Sequence, residues 1–361
     1  MLVSIPVSLN DSVTLLILEV SIMKKRFCLL LLLISIFLAA CTTPNFPNLG
    51  AESEDYQRFR EVFFDVFDTV TILIAYTNSK EEFDYLSKEI IHKELYRLHQ
   101  LFDIFNEYEG INNIRTINNY AGIAPVEVDS AIIDLLLLST EAYHLSNGLL
   151  NVTIGPVTDI WRLSISQNVV PSMESLQAAN EFTNINSLLI NEEAGTVFLK
   201  KEGMSLDVGS IAKGFAIEYV AQMAMAAGFY SFSLTVGGDV RVGNEPLSHQ
   251  DSWNIGVASP DGKEMLEVIH ATNTSVFSSG DYLRYFIVED ERFHHIIDPR
   301  TLMPATKHRT VTVLYPDAAM ADILSLAAFI LDTDEAIKFL ESFGAEGILM
   351  RQDGTIVNTS N

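Results

Sequence analysis

Phe232-Ser233-Leu234-Thr235-Val236-Gly237-Gly238-Asp239-Val240 is the stretch whose reading decides the fold. Phe232, Leu234 and Val236 alternate with Ser233 and Thr235. That period of two describes a half-buried strand, with one face in a core. The strand runs into a glycine pair, which lets a ligand approach the backbone closely. A simple turn explains the pair equally well. The glycines do not make a dinucleotide fingerprint, and no Walker loop occurs in the chain.

Working outward, Val70, Ile72 and Ile74 predict an earlier strand. Phe83, Leu86, Ile90, Ile91, Leu95, Leu98, Phe102 and Phe105 follow steps of three and four, which predicts one long amphipathic helix. A second helix is expected over Ala131 to Leu145, stopped near Asn147-Gly148. Downstream, Val311, Val313 and Tyr315 make a strand that ends at Pro316, and helices begin near Ala318 and Thr333. Strands and helices mix without strict alternation, which favours an α+β fold over a doubly wound one. A weak boundary falls near Val169 to Ser175, but no true linker is present, so residues 59–355 are expected to form a single domain.

The N-terminus speaks to compartment. Met23-Lys24-Lys25-Arg26 precedes an apolar run from Phe27 to Ala40, too short to span a bilayer comfortably. The run ends Leu38-Ala39-Ala40-Cys41, which resembles the bacterial lipoprotein signal. The resemblance implies a signal sequence over 1–40 and an acylated Cys41 as the first mature residue; secretion without lipid is the alternative. Residues 1–22 carry no targeting feature, and Met23 is the expected start. A tether is expected over residues 41–58, because Thr42 to Asp55 is rich in Pro, Asn, Gly and acidic residues.

Cys28 and Cys41 are the two cysteines, so the mature domain has neither disulfides nor thiol chemistry. It must hold together through its core, and a chain this long can bury a large one. The formal net charge of −24 argues against nucleic acid and against a polybasic grip on anionic lipid.

Four clusters carry chemistry. In Leu206-Asp207-Val208-Gly209-Ser210-Ile211-Ala212-Lys213-Gly214 an acidic residue leads through a tight turn into a helix. Helix N-termini favour anions, and Lys213 would add a point charge toward a phosphate. The plainer reading makes Asp207 a helix cap and puts Lys213 in solvent. The second cluster is Gly237-Gly238-Asp239. The third is His294-His295-Ile296-Ile297-Asp298-Pro299, in which adjacent strand residues diverge, so one histidine reaches a site. Histidine is a natural general base near neutrality; a hydrogen-bonded histidine at a strand end is the alternative. The fourth is Ala321-Asp322-Ile323-Leu324-Ser325-Leu326, a charge inside an apolar helix. A buried carboxylate needs a partner or a metal, and Ser325 and Leu326 share its helix face. A hard cation such as Mg²⁺ suits such oxygen donors, although Mn²⁺ or Ca²⁺ would also fit. A partner for a helix dipole is the other reading of Asp322.

Taken in this order, the clusters resemble the ApbE-type FAD:protein FMN transferases, from about Phe67 to Leu349. Further pieces of the likeness are Asn112-Asn113-Ile114-Arg115-Thr116-Ile117-Asn118, Gly148 to Pro156 with Trp161 after it, Trp253-Asn254-Ile255-Gly256 and Ser278-Ser279-Gly280-Asp281-Tyr282. The resemblance implies mixed, T-fold-related sheets with flanking helices and an FAD cleft between two lobes. It implies that Phe67, Asn112, Asn113, Ile114, Asn151, Thr153, Asp207, Lys213, Gly237, Gly238, Asp239, Ser279, Gly280, His295 and Ile297 serve FAD. It makes His295 and Asp207 the catalytic pair and places Ser210, Asp322 and Ser325 at a metal, taken as Mg²⁺.

The implied reaction moves the FMN half of FAD onto a Thr or Ser hydroxyl of an acceptor flavoprotein, with AMP as leaving group. The implied acceptor is an exported or membrane-bound electron-transfer protein with an FMN-binding domain. The enzyme itself would sit on the outer face of a bacterial membrane, held by the lipid on Cys41. This sequence also departs from the family. Leu326 stands where a Thr metal ligand is usual, Asn151 where an Asp is usual, Phe67 where a Met is common, and Asp68 replaces a Gly. These departures keep two alternatives open: a metal-dependent hydrolase that splits FAD into FMN and AMP, and a non-catalytic flavin-binding lipoprotein.

Overall fold

The computed structural model describes residues 56–248 and 250–359. The signal sequence, Cys41 and the tether through residue 55 lie outside the described residues.

The central feature is an eight-stranded sheet. Its strands are β1 (Gln57–Val66), β2 (Thr69–Thr77), β6 (Phe232–Val236), β7 (Asp239–Val242), β10 (Thr274–Gly280), β15 (His308–Tyr315), β16 (Glu346–Arg351) and β17 (Ile356–Asn358), in that spatial order. Every neighbouring pair is antiparallel. Helices connect β2 to its neighbour β6 and β15 to its neighbour β16, and an antiparallel sheet with helices inserted in this way is an α+β arrangement. The decisive stretch is a hairpin: Val236 pairs with Asp239, and Gly237 and Gly238 turn the chain with φ of 62° and 101°. Two consecutive positive φ values are what a tight antiparallel turn requires.

One sheet face carries Leu73, Phe232, Leu234, Val236, Phe277, Val311 and Val313 into the main core. Helices α1 (Lys80–Asp84), α2 (Lys93–Phe102), α7 (Ala212–Ala226), α8 (Ala318–Ile330) and α9 (Thr333–Phe343) contribute to that core. Helix α8 lies between the sheet and α7 and buries residues all around its circumference, which fits its apolar sequence. The other sheet face places Val240, Val242, Val276 and Ile348 against Trp253, Val257, Ile269 and Ala271 of a ribbon, β8 (Trp253–Ala258) and β9 (Met265–Ala271). Strand β2 is therefore two-sided. Leu73 and Ala75 enter the main core, while Ile74 packs under the ribbon.

The remaining elements build the flank of the site. They are α3 (Ile114–Asn119), β3 (Val126–Glu127), α4 (Ser130–Leu145), α5 (Gly155–Gln167), α6 (Met173–Asn180), β4 (Leu188–Asn191) and β5 (Thr196–Leu199). They also include a hairpin of β11 (Tyr285–Val288) and β12 (Glu291–His294), and a bridge of β13 (Ile297–Asp298) and β14 (Met303–Pro304). Residues 168–172 connect α5 to α6, and Val157, Trp161 and Leu176 share one apolar cluster with Phe286 and Phe293 across that connection.

The long helix expected through Phe105 is shorter and irregular. A π-helical segment, Tyr85–His92, separates α1 from α2, and the run ends at Phe102. Asp103 ends it: its carboxylate accepts from the Phe105 and Asn106 amides at 2.6 and 3.0 Å, a local turn that competes with the helix. Phe105 consequently stands outside, 61 % exposed. Helix α4 stops where expected, with Asn147 and Gly148 at φ of 50° and 86°.

Candidate active site

The turn after Leu206 is built around Asp207. Asn118 of α3 clamps the backbone of Leu206 from both sides: its amide donates to the carbonyl at 3.0 Å, and its oxygen accepts from the N–H at 2.7 Å. Asp207 then takes three donors. Gly209 N–H reaches one oxygen at 3.0 Å, and the Thr158 hydroxyl and Arg162 guanidinium reach the other at 2.7 and 2.9 Å. Asp207 does not cap α7. With these three donors in place, Asp207 ties the turn to Thr158 and Arg162 of α5.

Helix α7 begins directly after this turn. Lys213, in its first turn, is half-buried; its ammonium contacts the Asp239 carboxylate and lies 5.2 Å from the centre of the Phe277 ring. Burial pulls the ammonium down from its usual range, Asp322 opposes the shift and Arg284 adds to it. Asp239 is itself fixed by the Ser278 amide at 2.8 Å. Gly237 lies against Thr69, next to the β1–β2 turn in which Phe67 and Asp68 both have φ of 52°. A positive φ is costly for a non-glycine residue, and Phe67 and Asp68 both bear that cost. The Phe67 amide donates to His99 Nδ1 at 3.2 Å and its ring meets His99 edge-on, so the turn is held despite the strain.

The α7–α8 contact places the fourth cluster. Gly214 N–H, one of the unpaired amides of a helix start, donates to Asp322 Oδ2 at 2.9 Å. The helices touch so closely there that a Cβ on Gly214 would lie 2.5 Å from Asp322 Cβ. Asp322 is thus a partner for a helix N-terminus, that of α7. Burial raises its carboxyl above the usual range, against the pull of Lys213 and the Gly214 amide.

Ser325, expected at a metal, is fully buried, and its hydroxyl joins Ser279 at 3.0 Å and the Asp322 carbonyl at 3.0 Å. That expectation is corrected: Ser325 ties β10 to α8. Ser210 is half-buried, and its hydroxyl meets no protein partner among the described residues. Leu326 packs on the main core and offers no oxygen. No group of three or more His, Cys, Asp or Glu side chains suited to a metal occurs among the described residues. One carboxylate and one hydroxyl do suit a hard ion that takes the rest of its shell from water and substrate phosphates.

The two histidines diverge as expected. His294 is buried, with Nε2 2.7 Å from the Ala305 carbonyl and Nδ1 accepting from the Ile296 amide, so both nitrogens are used within the fold. His295 is exposed, and its Nδ1 lies 3.3 Å from the Arg284 carbonyl. Proton donation from Nδ1 to that carbonyl leaves Nε2 as a free acceptor. Desolvation first, then His294 and Arg284, lowers the ring to about 4, and the charge of Asp207 pulls the other way. The exposed edge keeps water, which limits the depression; on either count the ring is neutral at pH 7.

Several expected nucleotide contacts are framework instead. Asn113 is fully buried, caps α3, and donates to the Gln100 and Asn106 carbonyls. Ile114 is fully buried in the core, so both are corrected from ligand contacts to folding residues. Asn112 stays exposed, with its amide on the Glu127 carbonyl. Asn151 accepts from Thr153 and donates to the Thr183 carbonyl at 2.8 Å, while Thr153, fully buried, reaches the same carbonyl at 2.7 Å. Ile297 lies in the satellite cluster with Trp161 and Phe293, and Ser279 and Gly280 close the end of β10.

Sequence reasoning missed Thr158, Arg162, Asn118 and Arg284. Thr158 and Arg162 are four apart on α5, a spacing that marks one helix face but does not say that Asp207 meets it. Arg162 also lies over the exposed Phe105 ring, 5.4 Å from its centre. An open pocket beside them is lined by Phe105, Arg115, Asn118, Arg162 and Ser205.

The model of the ApbE family matches residues 67–349. A protein of Treponema pallidum named FAD:protein FMN transferase is 30 % identical over 258 residues, covering 66 % of this chain and 71 % of its own. One of the same name from Haemophilus influenzae is 27 % identical over 304 residues, covering 81 % and 84 %. The crystal structure of an ApbE protein from Thermotoga maritima superposes with a TM-score of 0.74 at 27 % identity, over 84 % of this chain and 96 % of that one. The flavin transferase ApbE of Vibrio cholerae superposes at 0.70 with 21 % identity and the same coverage, a likeness of fold. The chain belongs to the ApbE family.

Proposed function

We propose that this protein transfers the FMN half of FAD to a threonine or serine hydroxyl of an acceptor flavoprotein and releases AMP. The observation that carries the reading is the meeting of three of the clusters at the start of α7: Lys213 touches Asp239, and Gly214 touches Asp322. Each residue then has a task. His295 Nε2 takes the proton of the acceptor hydroxyl. The hydroxyl oxygen bonds to the FMN phosphorus, the anhydride bond to the AMP phosphate breaks, and the electron pair leaves with AMP. Lys213 at the start of α7 draws the phosphates to a positive helix end. The exposed Phe105 ring and Arg162 offer a surface to a planar part of the nucleotide.

Asp322 and the Ser210 hydroxyl would hold Mg²⁺. Such an ion offsets charge on a pyrophosphate. Most of the rate comes from positioning and electrostatics. Export, and attachment to the outer face of a bacterial membrane through lipidated Cys41, complete the proposal, with exported electron-transfer flavoproteins as acceptors. No helix among the described residues is long and apolar enough to cross a membrane.

The test mixes the protein with FAD, Mg²⁺ and an exported FMN-binding domain. The expected result is a fluorescent acceptor band that survives denaturing electrophoresis. FMN and AMP with a dark acceptor would indicate hydrolysis instead, and FAD recovered unchanged would indicate binding alone.

A further inference from the structure

A second charge pair lies behind the first. Glu218 of α7 and Arg241 of β7 are both buried, and the Glu218 carboxylate accepts from Arg241 Nε at 3.1 Å. The same carboxylate oxygen accepts from the Ala318 amide at 2.8 Å, the first residue of α8. The other oxygen takes the Gln222 amide at 2.5 Å. Arg241 spends its remaining donors on the Val242 carbonyl and Asn273. The proposed chemistry uses none of these groups.

Their spacing relates them to the site. Asp239 and Arg241 are two apart on β7, so they share the face turned to α7. Lys213 and Glu218 are five apart on α7. Five helical residues advance about 7.5 Å, and two strand residues advance about 6.7 Å. Reading along each element, α7 presents plus then minus while β7 presents minus then plus. A slide that moved Lys213 toward Arg241 would oppose like charges, so the order pins the register of helix on strand. Gly214 and Glu218 are four apart, hence on one face, and they meet Asp322 and Ala318, also four apart, on α8.

We propose that Glu218 and Arg241 are positioning residues: their buried pair fixes α7 against β7 and α8, and thereby holds Lys213 and Asp322 in place. Only the purpose of that placement rests on the transferase reading. Glu218→Gln alone leaves Arg241 buried without a counter-charge and can unfold the protein. The discriminating variant is E218M/R241M, because an apolar replacement of a buried ion pair often preserves stability while removing its register.

The full-length variant is compared with wild type at a temperature where circular dichroism shows both folded. Two readouts follow: FAD binding by flavin fluorescence with Mg²⁺ or with EDTA, and the rate of Lys213 acylation by an amine reagent, read by mass spectrometry. The expected result is a loss of about tenfold or more in Mg²⁺-dependent FAD affinity, with faster acylation at Lys213 and unchanged rates at other lysines. Wild-type values for Lys213 acylation overturn the proposal. So does a double variant that fails to fold, since the pair would then serve the fold itself. A wild type that shows no Mg²⁺ response counts against the functional reading, and the acylation rate still decides the positioning claim.

Discussion

The Gly214 amide donates to the Asp322 carboxylate at 2.9 Å, across a helix contact with no room for a side chain on the glycine. This bond satisfies an amide at the start of α7 and at the same time orients the acid. Asp322 Oδ2 is spent on it, and no protein donor meets Oδ1 among the described residues.

Gly214→Ala tests that contact. Alanine favours helix by about 0.5–1 kcal/mol over glycine. Its Cβ would lie 2.5 Å from Asp322 Cβ and 2.7 Å from the Ala318 carbonyl oxygen. Overpacking costs about 1–3 kcal/mol and outweighs the gain. Denaturant melts should show net destabilisation, and transfer should fall with it. A more stable variant would mean that the helices part freely here.

His295→Ala should slow transfer by about 10²–10⁴-fold while leaving FAD binding intact. The active form is the neutral ring, so activity is lost as pH falls through its folded pKa. That pKa is lowered, to about 4, from an ordinary histidine value near 6.5. At saturating Mg²⁺, which keeps Asp322 ionised, the acid limb of kcat should lie well below 6.5. A limb at or above that value would contradict the environment described for His295.

The sequence already held most of this. The alternation of Phe232, Leu234 and Val236 and the paired glycines announced a strand and its turn, and the order of the four clusters announced the family. It could not show which polar side chains were already committed. Asn113 and Ser325 look like ligands in one dimension; in three they bond to Gln100, Asn106 and Ser279, which lie 13, 7 and 46 residues away. Arg162 was invisible for the same reason, because its partner Asp207 is 45 residues distant. Strand β1 escaped because its alternation is blurred by half-exposed aromatic residues at a sheet edge.

Asn151 illustrates a departure that the fold has absorbed. Its amide donates to the Thr183 carbonyl at 2.8 Å, a bond that a carboxylate cannot make. Asn151→Asp should therefore destabilise the protein by about 1–3 kcal/mol, read as a lower denaturation midpoint. An unchanged midpoint would show that the Thr183 bond contributes nothing.

Leu326→Thr restores an oxygen on the face of α8 that carries Asp322. The Mg²⁺ concentration at half-maximal activity should fall. No change would mean that this face does not meet the ion.

The most direct measurement is a crystal soaked in FAD and Mn²⁺, with the metal located by anomalous scattering. An ion bound to Asp322 and to both phosphates of the dinucleotide is the predicted result. Nucleotide in the cleft with no metal at Asp322, or nucleotide bound elsewhere, would contradict it.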